Sequence, residues 1–92
     1  MAKLTPGERD QVAASLVDWA VDGEVLRRTF VFKNFVEAMG FVTRVGLAAE
    51  KANHHPDIDI RWNKVTLALT THDEGGLSRR DVELAERIDT LG

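Results

Sequence analysis

Apolar residues recur along this chain at two periods, and the switches between them mark its elements. Thr5-Pro6-Gly7-Glu8 opens the first. Thr5 can cap a helix, Pro6 fits its first position and Glu8 completes a capping box. Val12, Ala13, Leu16 and Val17 follow at helical spacing, so the pattern predicts a helix over 6–17. Trp19-Ala20-Val21 then meets Asp22-Gly23, a pair suited to a type I′ hairpin turn, with a return strand over 24–32. Leu26, Phe30 and Phe32 share one face of that strand, and Arg28 interrupts it. A long helix is predicted over 33–52, about 30 Å at 1.5 Å per residue. Its main stripe is Phe35, Ala38, Met39, Val42, Val45 and Ala49, while Phe41 and Ala48 fall off it and suggest a second buried face. The helix must stop near His54-His55, because Pro56 disfavours α geometry in the residue before it.

Strict alternation returns in Ile58, Ile60 and Trp62, and again in Val65, Leu67 and Leu69. The two runs predict a second hairpin turning at Asn63-Lys64. A loop containing Gly75-Gly76 follows. Ser78 then caps a last helix, with Asp81 in the capping-box place and Leu77 and Val82 set as a hydrophobic staple. Leu84, Ala85, Ile88 and Leu91 supply its apolar face. The order α-β-β-α-β-β-α implies an α+β fold: a four-stranded antiparallel sheet with helices on one face. The other face is left to water or a partner subunit.

Composition narrows this picture. Ninety-two residues suit a single domain spanning 1–92. Twelve basic against fifteen acidic side chains give −3, which does not support a generic nucleic-acid surface. The absence of Cys removes disulfides, thiolate zinc sites and cysteine nucleophiles, and fits a reducing compartment. The first ten residues lack the apolar stretch of a signal peptide, and no window approaches the ~20 apolar residues of a membrane span. A cytoplasmic protein is expected. A core this modest makes oligomerisation an expected further source of stability.

The candidate chemistry lies in three histidines. His54 and His55 stand where the long helix gives way to a strand, and His72 at the far end of the following hairpin. A helix C-terminus and a strand end can meet at one rim of a sheet, where loops gather polar groups around a pocket. The helix dipole there favours imidazolium, and Asp57 and Asp73 could add to it, which suits a proton donor near neutral pH. Taken singly, each is most simply a turn histidine. Three His could also hold Zn²⁺ with an open position, but adjacent His side chains diverge and no HExxH spacing exists. No metal is expected. Arg27-Arg28 and Arg79-Arg80 read as solvated faces, and Trp19 and Trp62 as core or interface residues.

Glu50-Lys51-Ala52-Asn53-His54-His55-Pro56 resembles the E-K-x-x-H-H-P signature of the pterin-4a-carbinolamine dehydratases. Trp62-Asn63-Lys64-Val65, the run from Thr70 through His72 and Gly75-Gly76 to Ser78, then Asp81 and Leu84-Ala85, continue that pattern in order. So does Phe41-Val42-Thr43-Arg44-Val45 upstream, and the similarity covers nearly the whole chain. Animal relatives carry Asp where this chain has Asn53, and Ser where it has Thr70.

The resemblance implies a similar fold and a reaction. Aromatic amino acid hydroxylases leave their tetrahydropterin as a 4a-hydroxy adduct; the dehydratase removes water to give quinonoid dihydropterin, with no cofactor. The implied catalytic set is His54, His55 and His72, with proton transfers on His54 and His72 and His55 positioning the pterin or assisting. Implied substrate-binding residues are Glu50, Asn53, His54, His55, Thr70, Thr71, His72 and Asp73. The resemblance further suggests homodimers or homotetramers and a functional link to an aromatic amino acid hydroxylase. It offers two alternatives: a dimerisation or coactivator-type binding module, as in animal members, and action on another pterin pathway.

Overall fold

The computed structural model describes residues 3–92. Helix α1 (Pro6–Ser15) begins as its capping box dictates: Glu8 N–H donates to Thr5 Oγ1 at 3.2 Å, and Thr5 N–H to Glu8 Oε1 at 2.8 Å. It stops earlier than its stripe suggests. Leu16 N–H still donates to Val12 O, but the chain turns there to bury Leu16 and Trp19. Val17, expected on the apolar stripe, is 76% exposed, and Ala13 is exposed too.

Strands β1 (Ala20–Asp22) and β2 (Val25–Val31) form the first hairpin, Asp22 opposite Val25. The two loop residues are Gly23 and Glu24, one position later than Asp22-Gly23. Gly23 takes φ +61°, a conformation that costs glycine little. Helix α2 (Phe35–Ala52) starts two residues later than predicted because Asn34 caps it, its Oδ1 accepting from Glu37 N–H at 2.9 Å. Strands β3 (Asp57–Arg61) and β4 (Lys64–Leu69) follow, and helix α3 (Arg79–Asp89) closes the chain behind the Ser78–Asp81 capping box.

The four strands form one antiparallel sheet in the order β1-β2-β4-β3. The predicted α+β fold class and element order are those observed. Leu26, Phe30, Val65, Leu67 and Leu69 point into a core that α2 and α3 cover. Arg27, Thr29, Thr66, Asp59 and Lys64 alternate onto the opposite face, where Thr29 and Thr66 pair through their hydroxyls at 2.9 Å.

Two further readings are corrected. The buried stripe of α2 is Ala38, Phe41, Val45 and Ala49; Phe35 and Met39 are exposed. Ala38, Val45 and Ala49 of the expected stripe are buried, and Phe41, expected on a second buried face, joins them while Phe35 and Met39 do not. Phe30 and Phe32 offer rings that Phe41 meets at centroid distances of 4.6 and 4.9 Å. The second hairpin turns at Trp62-Asn63, not Asn63-Lys64, since Arg61 pairs with Lys64. Trp62, expected in the core or an interface, sits at that tip with φ +53° and is 68% exposed within this chain. Asn63 holds the turn: its Nδ2–H donates to Phe32 O, and its own carbonyl accepts from Phe32 N–H.

Arg28, which broke the alternation of β2, lies on the helix side. Its guanidinium sits 4.1 Å over the Phe30 ring and pairs with Asp89 at 2.8 Å, and Asp89 also accepts from the indole N–H of buried Trp19. A charged residue in an apolar register is thus satisfied by the last turn of α3.

Candidate active site

Pro56 and an αL residue together end α2. Asn53, at φ 51°, ψ 42°, is the C-cap; Asn tolerates this conformation better than most residues. Its N–H and that of His54 return to carbonyls of the last turn. The chain then leaves in the opposite direction, carrying His54 inward and His55 outward.

Facing it is the exit of β4. Thr71 and Gly76 exchange two backbone hydrogen bonds at 3.1 Å, closing a small loop around a 3₁₀ turn, His72–Glu74. Gly75, at φ +77°, completes the loop, and His72 projects exposed from it. The loop is held from outside by Glu24, which accepts from Leu77 N–H at 3.2 Å and pairs with Lys3 and Arg9. The Leu77 N–H, and then Lys3, hold the Glu24 carboxyl below the ordinary carboxylate value of 4.5. A Cβ at Gly76 would overlap that carboxylate, so the close approach needs glycine.

Between these segments lies a cavity of about 270 Å³, lined by Asn53, His54, His55, Thr70, Thr71, His72, Asp73 and Arg80. It brings together seven of the eight sequence-derived candidates. Glu50 lies outside the lining, but its Oε1 is 2.8 Å from His55 Nε2.

Behind the cavity is a buried network that sequence reasoning missed. Asp81 is fully buried. Its Oδ2 accepts from Thr71 Oγ1–H at 2.8 Å and Ser78 N–H at 3.0 Å, and its Oδ1 lies 2.5 Å from His54 Nε2. Because Thr71 donates its hydroxyl proton to Asp81, Ser78 Oγ–H supplies the 2.7 Å bond between the two hydroxyls. Read as an acceptor throughout, the carboxylate places a proton on His54 Nε2, so that in the neutral ring Nδ1 is the acceptor. Nδ1 has no partner among the described residues and is not sealed from solvent. Asp81 was legible as a helix cap; its second role depends on two distant segments meeting.

Arg80 was also missed, having been read as solvated. Its Nη2–H donates to Asn53 O at 2.8 Å, tying the start of α3 to the end of α2 across the cavity wall. Among the described residues no group of three or more His, Asp and Glu is placed to hold a metal ion. No described helix is long and apolar enough to cross a membrane.

The model of the family described as Pterin 4 alpha carbinolamine dehydratase matches residues 2–91. A protein of Acidobacterium capsulatum, named provisionally as a pterin-4-alpha-carbinolamine dehydratase, is 50% identical over 91 residues, covering 99% of each chain. One of Roseiflexus, with the same provisional name, is 47% identical over 97% of this chain and 96% of its own. A crystal structure of a transcriptional coactivator/pterin dehydratase from Brucella melitensis superposes with a TM-score of 0.91 at 36% identity, over 97% of both chains. A pterin dehydratase-like RuBisCO assembly factor of the alpha-carboxysome shares the fold, with a TM-score of 0.65 at 20% identity.

Proposed function

Because this chain belongs to the pterin 4 alpha carbinolamine dehydratase family, we propose that it dehydrates 4a-hydroxytetrahydropterins by histidine acid–base catalysis in tetrahydropterin recycling. The observation that carries this reading is the buried Asp81 behind His54, at the wall of a cavity that His72 lines from the other side. Water leaves when the C4a–O bond breaks with a proton delivered to that oxygen. The N5 proton is lost, and its electron pair becomes the second bond between C4a and N5. Hydroxide is a poor leaving group, so an acid and a base at the two ends both lower the barrier.

The network favours a division of labour. With its Nε2 proton engaged by Asp81, His54 presents Nδ1 as an acceptor and takes the N5 proton. His72, on the facing loop, protonates the 4a-oxygen. Asn53, Thr70, Thr71 and Asp73 line the rest of the wall and offer hydrogen-bonding groups to the polar pterin edge. His55, paired with Glu50, positions the ring.

We also place the protein in a homo-oligomer. Phe35, Val36 and Met39 stand exposed in the first turns of α2, an apolar surface that self-association would cover. Solution mass measurement should give a multiple of 10.2 kDa; a monomer at micromolar concentration would overturn this point.

The activity is tested by following ultraviolet absorbance of freshly generated 4a-hydroxytetrahydropterin. Catalytic amounts of the protein should accelerate its decay to the quinonoid product. An unchanged decay with well-folded protein would overturn the reading.

A further inference from the structure

Beside the site runs a larger groove of about 720 Å³ between α2 and α3, and its walls are cationic. Arg44 and Lys51 contribute from α2, Arg80 and Arg87 from α3. In each helix the two residues are seven apart, two turns along one face, so the helices supply matching positive rails about 10 Å long. Among the described residues none of the four has a carboxylate partner. Arg44 donates to Leu91 O, Arg80 to Asn53 O and Arg87 to Thr90 Oγ1, which fixes three of them without neutralising them. Glu83 is the single acid in the lining. In a chain of net charge −3, such a concentration of unpaired cations is a local feature, not a reflection of composition.

The groove adjoins the catalytic cavity along a shared wall. His54 and Arg80 line both. The smaller cavity, about 270 Å³, lies just below the ~300–1,000 Å³ usual for small-molecule sites. It suits a fused bicyclic ring better than a ring with an extended substituent. A side chain on the pterin ring that is directed past Arg80 lies in the cationic groove.

We propose that the groove is the side-chain subsite of the same centre, and that the preferred substrate is a pterin whose side chain ends in a phosphate. This rests on the dehydratase reading. Lys51 and Arg80, beside Asn53 at the end of the groove nearest the cavity, hold the phosphate, and Arg87 adds its charge from two turns farther along.

The test compares two substrates with one ring: the 4a-hydroxy forms of 6-hydroxymethyl-tetrahydropterin and of its phosphate ester. Wild-type protein should prefer the ester by about tenfold in kcat/KM, mainly through KM, and lose the preference as salt rises. Lys51→Glu should abolish the preference, and Arg87→Glu should reduce it. Arg79→Glu, at a cation outside the groove, should retain it. Equal kcat/KM for the two substrates, or a preference indifferent to Lys51→Glu and Arg87→Glu, would overturn the subsite and leave the dehydratase standing. Turnover of neither substrate by well-folded protein would overturn the dehydratase reading, and this inference with it.

Discussion

The 2.5 Å contact between His54 Nε2 and Asp81 Oδ1 joins the end of α2 to the first turn of α3. One carboxylate thus orients a histidine and caps a helix at once. The substitution that separates these roles is Asp81→Asn. Its side-chain oxygen can still accept from Ser78 N–H and Thr71, while its amide would donate toward His54 and drive the ring proton to Nδ1. Activity should fall by roughly 10²-fold or more, by analogy with orienting carboxylates elsewhere. Thermal stability should fall by only about 1 kcal/mol. Asp81→Ala should cost about 3 kcal/mol as well, since it strands three buried donors. Steady-state kinetics beside thermal melts distinguish the two.

Phe41→Ala should destabilise the protein by about 3–5 kcal/mol, the usual cost of emptying an aromatic core position. Phe35→Ala should change stability by less than about 1 kcal/mol at monomer concentrations, because that ring is 49% exposed. Chemical denaturation of both variants checks which stripe of α2 is the core.

Gly76→Ala should lower the melting temperature by roughly 5 °C, because the new methyl displaces the Glu24 carboxylate from Leu77 N–H. In Glu24→Ala the same change should cost much less. That non-additivity, read from a double-mutant cycle, is the signature of a shared contact.

Glu24 also sets an acid limit, together with Glu8. Hydrogen bonds from Thr5 N–H and hydroxyl depress the Glu8 carboxyl, as the Leu77 N–H and Lys3 depress Glu24. A folded-state value below the unfolded one means that the charged forms stabilise the fold. That contribution is present above the ordinary 4.5 and is lost as pH falls through the depressed values. Stability of wild type should therefore decline below about pH 4.5 more steeply than that of Glu8→Gln/Glu24→Gln, in melts taken across that range.

Most of the fold was legible because local rules and tertiary packing agree. The Thr5–Glu8 and Ser78–Asp81 capping boxes, the Pro56 stop and the two alternating runs each mark an element that exists. Legibility fails where a partner decides. On α2 the spacing leaves Phe35, Met39 and Phe41 all eligible for burial, and the rings of Phe30 and Phe32 select Phe41. Trp62 belongs by alternation to β3, yet Asn63 bonding to Phe32 puts the turn on it. The histidine segments were visible from their place at element ends. Asp81 and Arg80 were not, because each acts on a residue 27 positions away.

The most direct measurement is the decay of freshly generated 4a-hydroxytetrahydropterin with wild type, His54→Ala and His72→Ala at equal concentration, each verified as folded. The account predicts acceleration by wild type and a loss of roughly 10²-fold or more in each variant. Folded His54→Ala and His72→Ala proteins that keep the wild-type rate would contradict it.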